Sequence, residues 1–173
     1  VSMRRLARQR VLQLLYALEY SGESFEETEA RFLRLRSGQR KGWSDFARTL
    51  ARKTYERREA LDREIAGALE HWRIERLALT DRLCLRLGLC EMQAFPEIPL
   101  RVTLDEYVEL ARRYGGQDSP AYVNGVLDRL ARNYRQKDFQ ALARGSDGSA
   151  GGGPGPTASV AAPEAEPEPE TPR

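Results

Sequence analysis

The sequence predicts an all-α protein, on three observations. Apolar residues recur at helical spacing in each segment between Arg4 and Tyr134, Ser/Thr-x-x-Glu patterns mark helix starts, and glycines or prolines stand where the period breaks. Six or seven helices fit this pattern, the count depending on whether the long third segment is broken. No repeat at solenoid spacing is visible.

Each element has its own justification. Residues 4–18 form the first helix, with Ala7, Val11, Leu14, Leu15 and Leu18 on one buried face. Its opposite sector holds Arg5, Arg8, Gln9, Leu12, Gln13 and Tyr16, flanked by Arg4 and Arg10, with no acid before Glu19. Gly22 stops that helix. Ser24 and Glu27 make a capping box for a second helix to about Leu35, with Phe25, Thr28, Phe32 and Leu35 as its apolar stripe. A basic, glycine-containing loop, Ser37–Gly42, follows, and its Arg40 and Lys41 read either as a secondary phosphate contact or as a solvated loop. Ser44-Asp45 starts a long segment through Phe46, Leu50, Thr54, Leu61, Ile65, Leu69 and Trp72, in which Arg57, Arg58 and Glu59 interrupt the stripe and predict a break or kink. The lone histidine, His71, reads as a helix-end residue, and no catalytic triad can be assembled around it.

Thr80-Asp81 reads as the cap of a helix that is apolar over a wide arc, through Leu83, Cys84, Leu87, Gly88, Cys90 and Met92, and therefore as the buried centre of the second half. Pro96 and Pro99 end it. Thr103 with Glu106 reads as another capping box, opening a helix through Leu104, Tyr107, Val108, Leu110 and Ala111 that Gly115-Gly116 stops. Ser119-Pro120 opens the last helix, with Tyr122, Val123, Val126, Leu127, Leu130 and Tyr134 on its period, and Gly125 within it reads as a close helix crossing.

Composition divides the chain into a helical body, residues 1–140, and a tail, residues 141–173. From Gly145 the tail is dominated by Gly, Pro, Ser, Ala and Glu, with too little apolar surface to offset its ordering entropy, and is expected to be disordered. The overall net charge of +2 conceals an asymmetry: residues 1–144 carry 27 basic against 21 acidic residues, about +6. A basic body suits a polyanionic partner. The acidic tail reads as a solubilising extension or as a competitor for the basic helix. Cys84 and Cys90, six apart on one helix, read as reduced core residues rather than a disulfide. Neither a signal peptide nor a membrane span is expected, which predicts a cytoplasmic protein.

Arginine supplies a permanently charged planar fork for phosphate oxygens, whereas Gln and Tyr can hydrogen-bond to bases or stack on them. The polar side of the first helix therefore reads as an RNA-contacting edge, with an ordinary solvated face as the alternative.

Three stretches resemble the NusB family of bacterial antitermination factors. They are Arg4-Arg5-Leu6-Ala7-Arg8 with Gln13-Leu14-Leu15-Tyr16, then Thr80 to Met92, and then Ile98-Pro99 through Glu109-Leu110-Ala111 to Asp118-Ser119 and Tyr122-Val123-Asn124-Gly125-Val126-Leu127-Asp128. The last motif is specific, and the likeness spans roughly residues 4–135. Leu6 stands where a third arginine is common in the family, and Tyr122 where phenylalanine is frequent.

The resemblance implies a fold of two packed helical bundles, no catalysis, no cofactor, and binding to boxA RNA of ribosomal RNA leader transcripts together with NusE, a small-subunit ribosomal protein, in the RNA polymerase antitermination complex. It implies an RNA surface of Arg4, Arg5, Arg8, Gln13 and Tyr16 with Asp118, Ser119 and Tyr122. Read locally, Tyr16 and Tyr122 are equally core-edge aromatics, and Asp118 a helix cap. The implied partner contacts are Asp81, Glu75, Arg82 and Arg86. Some family members are dimers when unbound. The rivals are an RNA-binding module related to RNA cytosine methyltransferases, a helix-turn-helix DNA regulator and a structural helical adaptor. Against the first stands the lack of a Gly-rich strand-to-helix turn for a methyl donor, and against the second that no helix here pairs a short turn with a polar recognition face.

Overall fold

Local signals place most helix ends in the computed structural model, which describes residues 2–35, 43–69 and 74–134. Helix α1 spans Met3–Ser21 and ends on Gly22, whose φ of 65° is the left-handed conformation that glycine adopts without penalty. In the predicted capping box the Ser24 N–H donates to Glu27 Oε2 (2.9 Å) and the Glu27 N–H donates to Ser24 Oγ (3.3 Å), starting α2, Phe25–Leu35. Ser44 caps α3, Asp45–Glu56, by accepting from the Ala47 N–H. The expected break falls at Arg57, after which α4 runs Arg58–Ala68. A short 3-10 turn, Ile74–Arg76, precedes α5 (Leu79–Ala94), α6 (Leu100–Tyr114) and α7 (Ser119–Tyr134). Seven α-helices and no strand are thus present among the described residues, and no helix there is long and apolar enough to cross a membrane. Arg40, Lys41, His71 and Trp72, and residues 135–173 with the whole tail, lie outside the described residues.

Helix α5 is the axis of the fold. Residues 83–92 are buried without interruption, and α5 packs on α1 and α3 on one side and on α4, α6 and α7 on the other, giving the two packed bundles. Gly88 permits a close crossing of α5 with α6 and α7. A Cβ there would stand 2.9 Å from both terminal methyls of Leu127 and 3.3 Å from the Tyr107 ring. That corrects the expectation for Gly125, which is exposed and meets nothing within 4 Å.

Two cap assignments also change. Helix α6 begins at Leu100, because Pro99 already has a suitable φ and its carbonyl accepts from Val102 and Thr103, so Thr103 and Glu106 are interior residues rather than a capping box. Helix α5 begins at Leu79, leaving Thr80 and Asp81 in its first turn with no side-chain cap bond.

At the junction of α1, α5 and α6 lies a buried polar cluster. Arg8, 2 % exposed, donates from Nε and Nη2 to the two oxygens of Glu91 at 2.8 and 2.7 Å. Thr103 Oγ1 donates to Oε1 at 2.9 Å and the Tyr107 hydroxyl to Oε2 at 2.8 Å. Glu91, with no exposure, thus accepts four hydrogen bonds. Burial alone would loosen the Arg8 proton, but hydrogen bonding to Glu91 and its charge offset that and hold the guanidinium protonated. Burial and the same carboxylate push the Tyr107 phenol well up, so it stays a donor.

Two outcomes follow. Arg8→Met should lower stability by about 3–5 kcal/mol, the usual consequence of leaving one buried charge unpaired, read as a fall in denaturation midpoint; an unchanged midpoint would contradict this account. Cys84 and Cys90 are free and buried, and desolvation with the Asp81 charge pushes the Cys84 thiol to about 12. Cys84 should therefore resist iodoacetamide at pH 8 in the folded protein and react on unfolding, as followed by mass spectrometry.

Candidate nucleic-acid interface

The arginine block of α1 does not form one surface. At 100° per residue Arg4 and Arg5 diverge, and the neighbouring helices take them in opposite directions. Arg4 is exposed and lies over the Phe46 ring of α3, 5.6 Å from its centroid. Arg5 turns to α6, where Nε and Nη2 bind the Glu106 carboxylate at 2.9–3.1 Å. Arg8, expected among the RNA contacts, is the core residue described above. Its guanidinium is sealed from solvent and committed to Glu91, which corrects that assignment. Leu12, one turn further on and placed with the polar sector, is 3 % exposed and also belongs to the core.

What α1 presents is narrower and more aromatic than the sequence implied. Gln13 Nε2 donates to the Tyr114 hydroxyl at the end of α6 (3.2 Å), and Arg10 Nη1 donates to Gln13 Oε1 (3.2 Å). Gln13 and Tyr114, together with Leu12, Tyr16 and Thr80, line a depression of about 320 Å³ between α1, the start of α5 and the end of α6. Tyr16 is 43 % exposed, and Tyr20, one turn on, is 71 % exposed with its ring centroid 5.4 Å away. Arg113 lies over the Tyr114 ring. A hydrogen-bonding amide, ring faces open to solvent and a cation beside them are the parts that hold unstacked bases.

Sequence reasoning missed Tyr20 and Tyr114. The signal for Tyr20 was available, since Tyr16 and Tyr20 share a face at i, i+4; that for Tyr114 was not, because it depends on the packing of α6 against α1.

The other expected RNA contacts come from the start of α7. Asp118 is exposed, and its carbonyl accepts from the Tyr122 N–H. Ser119 is buried, and its Oγ accepts from the Gly116 N–H at 2.9 Å, pinning the turn between α6 and α7. That role turns its side chain inward, so the expected RNA contact through Ser119 Oγ is corrected to a structural one. Tyr122 is half-buried, with a hydroxyl that is enclosed and makes no protein hydrogen bond. Desolvation, then the charge of Asp81, push its phenol up.

Of the expected partner contacts, Asp81 is 9 % exposed, with one carboxylate oxygen buried and without a hydrogen bond. Arg82 is half-buried, 3.8 Å from Glu19. Arg86 is a correction: it is 7 % exposed, held by Asp62 through two bonds of 2.6 Å and by Glu19 at 3.1 Å, so its charge is spent within the chain, joining α5 to α4 and α1. Glu75 falls in the 3-10 turn, and its side chain lies outside what the structure describes.

Comparison with known proteins bears on the whole described body. The sequence profile of the NusB family matches residues 5–132. The transcription antitermination protein NusB of Sorangium cellulosum (strain So ce56) is 43 % identical over 135 residues, spanning 78 % of this chain and 96 % of that protein. NusB of Geobacter sulfurreducens is 38 % identical over 135 residues, spanning 78 % and 97 %. Among solved structures, T. maritima NusB superposes with a TM-score of 0.68 at 32 % identity, covering 81 % of this chain and 98 % of that one. A chain from the crystal structure of the antitermination factors NusB and NusE in complex with dsRNA superposes at 0.67 with 26 % identity, covering 76 % and 98 %. With a match from the first turn of α1 to the last of α7, the chain belongs to the NusB family.

Proposed function

We propose that this chain is a non-catalytic, RNA-binding transcription antitermination factor that takes single-stranded boxA RNA of ribosomal RNA leader transcripts and acts with NusE in the RNA polymerase antitermination complex. The family it belongs to is one of transcription antitermination proteins, not of enzymes. The observation that carries the reading is the face formed by Gln13, Tyr16 and Tyr114 around the α1–α6 depression, in a fold whose structural relative was crystallised with NusE and RNA. Arg5 and Arg4 would supply phosphate attraction at the start of α1, Gln13 and Asp118 base-edge hydrogen bonds, and Tyr16 and the rim of Tyr122 stacking. The protein partner would approach Asp81 and Arg82 on the first turns of α5, where an acid suits a basic ribosomal protein.

A titration of a short boxA-type RNA against a scrambled one, with and without purified NusE, tests the reading. Tighter binding to boxA that strengthens with NusE is expected, and equal, weak binding to both RNAs with no partner effect would overturn it. Tyr16→Ala should weaken boxA binding by roughly 1–3 kcal/mol, the worth of one base stacked on an aromatic ring, with a comparatively small fall in melting midpoint because the side chain lies at the surface, 43 % exposed. Asp81→Asn, which removes charge at constant volume, should weaken NusE binding while leaving boxA binding by the isolated chain unaltered; undiminished NusE affinity by calorimetry would remove Asp81 from the interface.

A further inference from the structure

Arg5 is held on the α1 surface by three hydrogen bonds, and the residue that holds it is Glu106. Three hydrogen bonds of 2.9–3.1 Å join Nε and Nη2 of Arg5 to the Glu106 carboxylate. The two partners differ in exposure: the Arg5 side chain is 51 % exposed and that of Glu106 11 %. Only one edge of the guanidinium is therefore occupied. Nη1 makes none of these bonds, and Arg5 and Glu106 line, with Leu6, Gln9, Leu110 and Arg113 among others, a groove of about 530 Å³ between α1 and α6.

Glu106 is itself fixed from behind. It sits on the turn of α6 whose neighbours Thr103 and Tyr107 both bind Glu91, and its second oxygen lies 3.9 Å from Nη1 of the buried Arg8.

We infer that Glu106 is a positioning residue for RNA capture: it holds the Arg5 guanidinium flat against α6 with its outer edge turned to solvent as a preformed fork for a phosphate. The inference rests on the RNA-binding reading above. A free arginine side chain gives up substantial rotamer freedom when it grips a phosphate, and one already held by its inner edge gives up less. Against this stands simple repulsion, because Glu106 is an acid near a polyanion. The magnitudes favour positioning. A phosphate on the outer edge would lie roughly 7 Å from the carboxylate, where screening by water and salt limits repulsion to a factor of about two to three. The charge of Glu106 is also already compensated, since Glu91 and Glu106 together face two arginines, Arg8 and Arg5.

The two effects predict opposite signs, which makes the test decisive. Anisotropy titrations of a boxA-type single-stranded RNA would use the full chain and its Glu106→Gln, Glu109→Gln, Arg5→Lys and Arg5→Ala variants across a salt series. Glu106→Gln should weaken binding by roughly three- to tenfold while keeping the wild-type salt slope, since Arg5 stays charged. Arg5→Ala should shallow that slope by about 0.7, and in its background Glu106→Gln should change affinity less than about twofold. Glu109→Gln removes an acid from the same helix and should bind equally or more tightly. Arg5→Lys keeps the charge, loses the planar fork and leaves Glu106 and its core neighbours untouched, so it remains informative if Glu106→Gln unfolds; it should lose affinity nearly as far as Arg5→Ala.

Glu106→Gln binding as tightly as wild type or tighter, or Arg5→Lys binding like wild type, would overturn the positioning role while leaving the RNA-binding reading intact. A wild-type chain that does not bind RNA would overturn both.

Discussion

The ion pair between Arg8 and Glu91 is the constraint on which the rest of the arrangement depends. A charge pair with almost no exposure persists only if every donor and acceptor is met, and here Thr103 and Tyr107 complete the set on Glu91. Each member comes from α1, α5 or α6, so satisfying the cluster fixes the register of all three helices at once. A purely apolar contact would tolerate a slip of one helix along another. This one does not, because displacing α6 by a residue strands the Glu91 oxygens. The same register sets Arg5 against Glu106, three residues before Arg8 on α1, and Gln13 against Tyr114, five residues after it. The exposed face is thus a consequence of the buried pair.

A second ion network does comparable work at the other end of α1. Arg86 on α5 binds Asp62 of α4 and Glu19 of α1, tying together helices from both bundles where Gly88 brings α5 close to α7. Between these two polar ties the core is aliphatic, with Leu14, Leu50, Leu61, Leu83 and Leu87 all but fully buried. Directional contacts at the two ends and non-directional ones between them are what let a helix as uniformly apolar as α5 take a single orientation among five neighbours.

The helices were legible in the sequence because their signals are local: Gly22 as a stop, Ser24 with Glu27 as a box and the interruption at Arg57 each involve residues within one or two turns. The side-chain assignments failed where the deciding partner is distant in sequence. Arg8 looks like Arg5 on a helical wheel, and only Glu91, 83 residues away, makes one a core residue and the other a surface one. Thr103 and Glu106 have the spacing of a capping box, but Pro99 had already begun the helix, so the same two side chains turned inward to Glu91 and Arg5. Gly125 and Gly88 are alike in a sequence, and what stands opposite each decides which permits a close approach. Of the candidate site, Gln13 and Tyr16 were readable from α1 alone, whereas Tyr114 enters only once α6 is packed beside it.

These placements change how the basic character of the chain is to be understood. Of the four arginines between Arg4 and Arg10, Arg8 is neutralised in the core, Arg5 is bound along one edge, Arg4 is stacked on Phe46 and Arg10 donates to Gln13. The block that seemed a reservoir of free charge is mostly engaged in holding structure. Each phosphate neutralised on a single strand contributes only about 0.7 to the salt slope, so a face with so few unengaged cations cannot rely on counterion release for tight binding. The proposed selectivity for unpaired bases therefore rests on the rings of Tyr16, Tyr20 and Tyr114 and the amide of Gln13, which act at short range and persist in salt. On the function proposed above, such a surface would gain from a second protein that extends the contact, because joining two weak surfaces multiplies affinity without new charge on either.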